Sequence, residues 1–294
     1  MLAVIPQSRI CIAILMSALS SSALNAALTL NAIPLTKVYA TSGEPMIVNG
    51  QPADPQEYPA SYRSESNGKS CTWFLVGPNV LLGAAHCVAG ETETTPIANV
   101  KFETSIGEHT SICSISDGYW KDKSQDWALC RVTPQTPRPV STIGTAGYEV
   151  VNQRSEVLTA LPKLEISGFG CLAQGGPVLS NYQIGSARVV TPPPKARVFG
   201  SPNVTPNAVK IRQSPSILCA GDSGGPAFFY QKPGRVLRVV VGTNSSTAIE
   251  AGVSYLSSLS TPTAISFLKA WSRDHSVKIC GVDKDAIGCR RYLP

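Results

Sequence analysis

Charge is scarce in this chain: Asp, Glu, Lys and Arg make up 15% of its 294 residues, against roughly a quarter in an ordinary soluble domain. The net charge of +6 is spread out, with no Lys/Arg run of five and no alternation of basic and aromatic residues, so a nucleic-acid footprint is absent. No cysteine pair has C-x2-C spacing, and only three histidines exist to complete a Cys/His set, which argues against structural zinc. No acidic cluster calls for calcium. No G-X-Y period excludes a collagen, and no internal repeat is evident. No apolar run reaches the ~20 residues that span a bilayer.

Glycine and proline, 24 and 23 residues, are plentiful and favour many turns and few long helices. Nine cysteines are the informative excess. Arg9, the apolar run 10–19 and Ala23-Leu24-Asn25-Ala26 read as a secretory signal over residues 1–26. A membrane anchor is the competing reading, but the run is short and serines interrupt it. Cys11 leaves with the signal, so eight cysteines remain, by default as four disulfides in an oxidising compartment, extracellular or periplasmic. Residues 27–46 read as a propeptide or a flexible leader. No membrane association is expected once the signal is removed.

Short β-branched and aliphatic runs at 80–82, 112–115, 164–166, 187–190, 236–241 and 252–256 alternate with turn signals such as Gly77-Pro78, which indicates an antiparallel sandwich or barrel protein. One helix is marked late in the chain by Thr261 as N-cap, Pro262 at the first position, and Ile265, Leu268 and Trp271 on one face. The Pro-rich stretch beginning at Thr133-Pro134 lacks the donors for a sheet interior and reads as a linker, residues 133–147, between two β-rich halves.

Gly221-Asp222-Ser223-Gly224-Gly225-Pro226 is a glycine-rich turn with a hydroxyl at its centre. Glycine allows the amides of Gly221 and Ser223 to converge beside the Ser223 hydroxyl, where they stabilise an oxyanion. Serine attacks poorly without a base. His86, in Ala84-Ala85-His86-Cys87, is the candidate, whereas His109 and His275 read as surface residues. An acid must orient the imidazole, and Asp126 enters the apolar Trp127-Ala128-Leu129, where burial is costly without a hydrogen-bond partner. A solvated Asp122 or Asp126 is the plain alternative.

Together, Ile47-Val48-Asn49-Gly50 and these His86, Asp126 and Ser223 motifs, in that order, closely resemble the trypsin/chymotrypsin-like serine proteases. The resemblance extends through Ile166-Ser167-Gly168-Phe169-Gly170 to the C-terminal helix. It implies an all-β fold: two packed six-stranded antiparallel barrels with a C-terminal α-helix, divided as 47–132, linker 133–147, 148–260, and helix and tail 261–294. It implies Ser223 as nucleophile, His86 as base then acid, Asp126 as orienting carboxylate, and Gly221 and Ser223 as oxyanion donors. It also implies a zymogen whose new N-terminus at Ile47 pairs with Asp222. Cys71–Cys87 matches the bridge of the histidine loop. Cys113–Cys130, Cys171–Cys219 and Cys280–Cys289 follow from proximity in the family fold or in sequence. No metal or other cofactor is required. The partners are protein or peptide substrates, an activating protease and a protein inhibitor.

Several positions depart from the family. Glu44-Pro45-Met46 precedes Ile47 where a trypsin-like activation site has Lys or Arg. Trp73 and Phe74 stand where small residues are usual and are expected to alter the leaving-group side of the cleft. The residue at the floor of the primary pocket is Ile217, with Leu218 beside it, so a basic substrate side chain would lack a counter-charge. Ser245, Ser246 and Thr247 correspond to the pocket wall, Ser245 within reach of Asp126, and Gly252 to an open mouth. Apolar or small substrate side chains are expected, and no histidine in the wall favours glutamate. A secreted non-catalytic homologue serving as a binding module is the alternative from another class, and a general esterase shares the chemistry.

Overall fold

A computed structural model describes residues 32–36, 47–54, 57–66, 69–104, 107–132, 147–171, 173–177, 181–198, 203, 205–231 and 238–290. The expected signal, the leader apart from 32–36, and the Pro-rich linker up to residue 146 lie outside them. All described residues fall within one compact unit, Asn31–Pro294.

The first barrel contains the six strands expected of it and one more. Strand β1 (Ala32–Thr36) precedes β2 (Gln51–Pro52), which belongs to the second sheet; β3 (Ser61–Ser66), β4 (Lys69–Gly77), β5 (Val80–Gly83), β6 (Asn99–Thr104), β7 (Gly107–Ile115) and β8 (Ala128–Val132) complete the barrel. The ring runs β1-β3-β4-β5-β8-β7-β6, with β1 antiparallel to β3 and parallel to β6. The added strand comes from the segment expected to be leader, which carries no strong strand pattern of its own.

The second sheet is built from β9 (Lys163–Gly168), β10 (Gln183–Thr191), β11 (Ala208–Gln213), β12 (Pro226–Tyr230), β13 (Arg238–Ala248) and β14 (Val253–Ser258). Its order is β11-β14-β13-β12-β9-β10-β2, and a further β10–β11 pairing closes those six strands on themselves. The short α1 (Glu156–Thr159) has no counterpart in the sequence expectation. The helix α2 (Pro262–Asp274) does: the Thr261 hydroxyl accepts the Ala264 amide, and Leu268 and Trp271 are buried, while Ile265 is only partly covered. No helix among the described residues is long and apolar enough to cross a membrane.

Successive strand residues face opposite sides, and both sides are used here. In β4, Trp73 and Leu75 fill the first barrel, while Phe74 and Val76 join the layer between the barrels with Phe228, Val240 and α2. In β13, Val239 and Val241 fill the second barrel and Val240 joins the same middle layer. Such continuous apolar runs belong to strands buried on both faces. The expectation that Trp73 and Phe74 shape the cleft is therefore corrected: both are 0% exposed. Trp73 donates through Nε1 to the Ser64 hydroxyl inside the barrel. Truncating either to alanine costs about 3–5 kcal/mol. Four disulfides join the expected pairs: Cys71–Cys87, Cys113–Cys130, Cys171–Cys219 and Cys280–Cys289.

Candidate active site

Strand β5 ends at Gly83, and the small, fully buried Ala84 and Ala85 lead into a single 3-10 turn, Ala85–Cys87. Cys87 is bonded to Cys71 of β4, so both sides of the turn are fixed and the part-exposed His86 ring stands in the cleft. Asp126 enters from the residues before β8 and is 2% exposed. His86 Nδ1 lies 2.7 Å from Asp126 Oδ2, the His86 amide donates to Oδ1 at 2.9 Å, and the Ser245 hydroxyl donates to Oδ2 at 2.7 Å. Burial pushes the Asp126 carboxyl up, but the His86 charge and ring N–H, the Ser245 hydroxyl and the His86 amide outweigh it and hold the pKa below the ordinary value. A carboxylate accepting from Nδ1–H makes Nε2 the basic nitrogen of the neutral ring.

The turn carrying Ser223 is fastened to the same region from the second barrel. Gly221 and Gly224 have φ of 98° and 82°, which only glycine adopts at little cost. At Gly224 space is also decisive, since a Cβ there would stand 2.8 Å from the Ala84 nitrogen, two residues before His86. The Cys87 sulfur lies 3.9 Å from the Ser223 carbonyl oxygen. The structure thus brings the Ser223 turn against the His86 turn.

Two residues not singled out in the sequence hold this turn. Thr72 is fully buried; its amide donates to the Ser223 carbonyl at 2.8 Å and its hydroxyl to the Gly221 carbonyl at 2.9 Å. Asn244 is also fully buried, and its side-chain amide donates to the Ser167 and Asp222 carbonyls at 2.9 and 3.0 Å. A polar residue beside a disulfide cysteine in an apolar strand was the available signal for Thr72.

Asp222 is 0% exposed, and its carboxylate accepts the amides of Gly170 and Cys219, each at 2.8 Å. Burial raises its pKa to about 7 even against those two donors. No ion pair with Asp222 occurs among the described residues. Ile47 is likewise fully buried, within the second-barrel core, and Val48 bridges Ile217, a short step along the chain from Asp222.

Two cavities are lined by residues of this region. One of about 630 Å³ is lined by His86, Asp126, Ser245 and Ser246, with Tyr119 and Lys123 opposite. The other, of about 700 Å³, is lined by Cys171, Cys219, Ala220, Thr247, Ala248 and Ile249. The expected pocket floor differs: Ile217 and Leu218 are 2% and 3% exposed and line neither cavity. β13 stays paired with β14 as far as Ala248↔Val253, with a register shift between Asn244 and Ser246; Thr247 and Ser254 are joined by their hydroxyls at 2.9 Å, and the Leu218 amide donates to the Ser254 hydroxyl, which holds Leu218 against β14. Gly252, expected at an open mouth, ends the 3-10 turn Ile249–Ala251 at φ 62°, and a Cβ there would meet only Gln213 Oε1, at 3.7 Å.

The side chains of Cys71, His86 and Cys87 bring their ligand atoms within 4.8 Å of one another, the geometry of a small metal cluster. The donor set does not fit an ion, because the two sulfurs are bonded to each other and Nδ1 is engaged by Asp126.

Comparison with known proteins agrees with this architecture. The chain is 22% identical to a trypsin-like protease of Streptomyces glaucescens over 73% of this chain and 78% of that protein. It is 24% identical to a trypsin of Saccharopolyspora erythraea over 63% of this chain and 83% of the relative. Among solved structures, a Glu endopeptidase in complex with MPD superposes with a TM-score of 0.56 at 15% identity, covering 79% of this chain and 98% of its own. The atomic-resolution structure of HBP gives 0.51 at 17%, with 78% and 97% covered. The family model described as Trypsin matches residues 47–264, most of the sequence, and the chain belongs to this family of trypsin/chymotrypsin-like serine proteases.

Proposed function

We propose that the protein is a secreted serine endopeptidase that cleaves peptide bonds through His86, Asp126 and Ser223. The observation that carries this reading is the buried Asp126 carboxylate, fixed on His86 by two bonds and on Ser245 by a third. Such an arrangement selects one imidazole tautomer and stabilises the imidazolium that forms during catalysis.

In the mechanism that follows, the Ser223 Oγ attacks the scissile carbonyl carbon while His86 Nε2 takes its proton. The carbonyl becomes an oxyanion held by the amides of Gly221 and Ser223. His86 then gives the proton to the leaving amine, the C–N bond breaks, and an acyl-Ser223 ester remains. Water, deprotonated by the same nitrogen, attacks the ester and restores the hydroxyl. Each oxyanion donor contributes about 2.7–4 kcal/mol in related chemistry. Thr72 and Asn244 support this step by holding the carbonyls of the turn, which fixes where its amides point.

Specificity on this reading is for apolar or small side chains. The space beside Ala220 is walled by Thr247, Ala248 and Ile249, and the expected floor residues, Ile217 and Leu218, are apolar and carry no carboxylate of their own to meet Lys or Arg. The one acidic residue on that wall, Glu250, is exposed. Cleavage after Met46 would give Ile47 an ammonium, a charge that the buried Asp222 carboxylate does not meet among the described residues. The apolar segment 10–19 and the four disulfides support export.

Fluorophosphonate labelling of the purified, N-terminally sequenced protein, with Ser223→Ala as control, tests the reading. Labelling at Ser223 and cleavage of a peptide library after small or apolar residues are expected. A processed, folded protein that never labels would leave the non-catalytic binding module as the function.

A further inference from the structure

The Asp222 carboxylate is gripped from two segments, and a disulfide joins those segments to each other. Its Oδ1 accepts the Gly170 amide and its Oδ2 the Cys219 amide. Cys171, the residue after Gly170, is bonded to Cys219 across 48 positions of sequence. The Cys171 amide also donates to the Ala220 carbonyl at 2.9 Å, and the Asp222 amide to the Cys219 carbonyl at 3.1 Å. The two stretches therefore lie side by side, tied by one covalent bond, by the Cys171–Ala220 backbone bond and by the Gly170 amide on the Asp222 carboxylate. Their approach leaves no slack: a Cβ at Gly170 would stand 2.4 Å from the Asp222 carboxylate. Gly221 and Ser223, the oxyanion donors, follow this grip directly.

We propose that Cys171–Cys219 is a positioning pair for the oxyanion turn, and that it keeps the intact chain catalytically competent before any ammonium is created at Ile47. The inference rests on the protease reading above. An oxyanion hole accelerates acyl transfer by being in place before charge develops. An ammonium would order the turn by its attraction for Asp222, whereas the bridge orders the same turn by restricting the separation of the segments that hold Asp222. Two fasteners on one element are not additive, because either suffices while the other is present. With both removed, a buried carboxylate held only by amides favours release of the turn to water.

The test compares the full chain, its entire N-terminal segment retained, with a form begun at Ile47 by an engineered cut after Met46. Each is prepared with the bridge and as the Cys171→Ala/Cys219→Ala pair. Fluorophosphonate labelling of Ser223, kcat and KM on one peptide, circular-dichroism melting and N-terminal sequencing after assay are measured for all. The bridged intact chain is expected to label. Removing the bridge should lower kcat about 100-fold in the intact chain, the scale of losing an oxyanion donor. The loss should be only a few-fold in the Ile47 form, with KM unchanged in both. Cutting the unbridged intact chain after Met46 should restore labelling, which also shows that it had folded. Equal losses in the two forms, no recovery on cutting, or an inert bridged intact chain beside an active Ile47 form would overturn the proposal alone. No labelling in any form would remove the protease reading and the proposal with it.

Discussion

Asp126 and Asp222 are both buried, at 2% and 0% exposure, yet their surroundings drive them in opposite directions. Asp126 faces an imidazole, a hydroxyl and an amide, and is held ionised below the usual carboxylate range. Asp222 faces two amides and no cation among the described residues, and its pKa rises to about 7. Burial is common to both, so the partner decides the outcome: amide dipoles offset part of the desolvation cost, and a neighbouring group able to carry positive charge offsets the rest. Among the described residues one carboxylate has a partner that can carry positive charge and the other has only amides, which is the difference the proposed Ile47 ammonium would remove.

The sharpest way to break this contrast is Asp126→Asn. The amide preserves shape, but can present N–H to Nδ1 and so stabilise the wrong tautomer. A loss of about 10⁴ in kcat is expected, with KM little changed, measured on a peptide substrate. Asp222→Asn in the form begun at Ile47 comes next. It removes the charge for the ammonium and loosens the oxyanion turn, so a kcat loss of about 10²–10³ is expected from steady-state kinetics. A loss as large as that of Asp126→Asn would mean that Asp222 does more than hold the turn.

Sequence and structure agree most closely where the determinant is local. The cap of α2 needs only Thr261, Pro262 and the spacing of Leu268 and Trp271. The turn 221–226 is legible because glycine at positive φ is a property of single positions. Pocket residues were less legible, since whether Ile217 and Leu218 line a space depends on how far β13 and β14 remain paired. That register is fixed by partners such as Thr247 and Ser254, remote from the motif. Trp73 and Phe74 were misplaced for a related reason. Read as isolated bulky residues they belong in a cleft; read with Leu75 and Val76 they form an apolar run whose alternate members feed two cores. The pairing of Ala32–Thr36 with β3 and β6 had no local signature and required the edges of both strands.

The two carboxylates should also leave opposite marks on stability against pH in the intact Ser223→Ala chain. Asp222 titrates near about 7 when folded and near 3.8 when unfolded. Between those values the folded state binds more protons, so stability falls as pH rises from about 4 and the full penalty is reached above about 7. The scale is about 4 kcal/mol at 1.36 kcal/mol per pKa unit. Asp126 has the reverse sign: its contribution is present above the ordinary carboxylate pKa and is lost as pH falls through its lower folded value. Urea unfolding across this range should therefore show a fall in stability from about pH 4 to 7, the neutral-side slope, that Asp222→Asn removes, and an acid-side slope below it that Asp126→Asn removes. Beginning the chain at Ile47 should flatten the neutral slope as well, and an unchanged slope there would show that the ammonium does not reach Asp222.

The smallest expected effect bears on what completes the Asp126 site. Ser245 donates to the carboxylate oxygen that also faces His86 Nδ1, so the two donors share one acceptor. A hydrogen bond to a charged group contributes about 1.5–3 kcal/mol where no other donor replaces it. Ser245 also lines the cavity beside His86, so water can take the place of its hydroxyl once it is removed. The net effect of Ser245→Ala should then be near the low end, about 10-fold in kcat. Because the hydroxyl stabilises only the ionised form, the acid-side slope in stability should shift to higher pH, while the neutral slope from Asp222 stays where it was. A shift in both slopes would mean that the two carboxylates are coupled through the cleft. A change in KM alone would place Ser245 in substrate binding and leave Asp126 to be held by His86 without help.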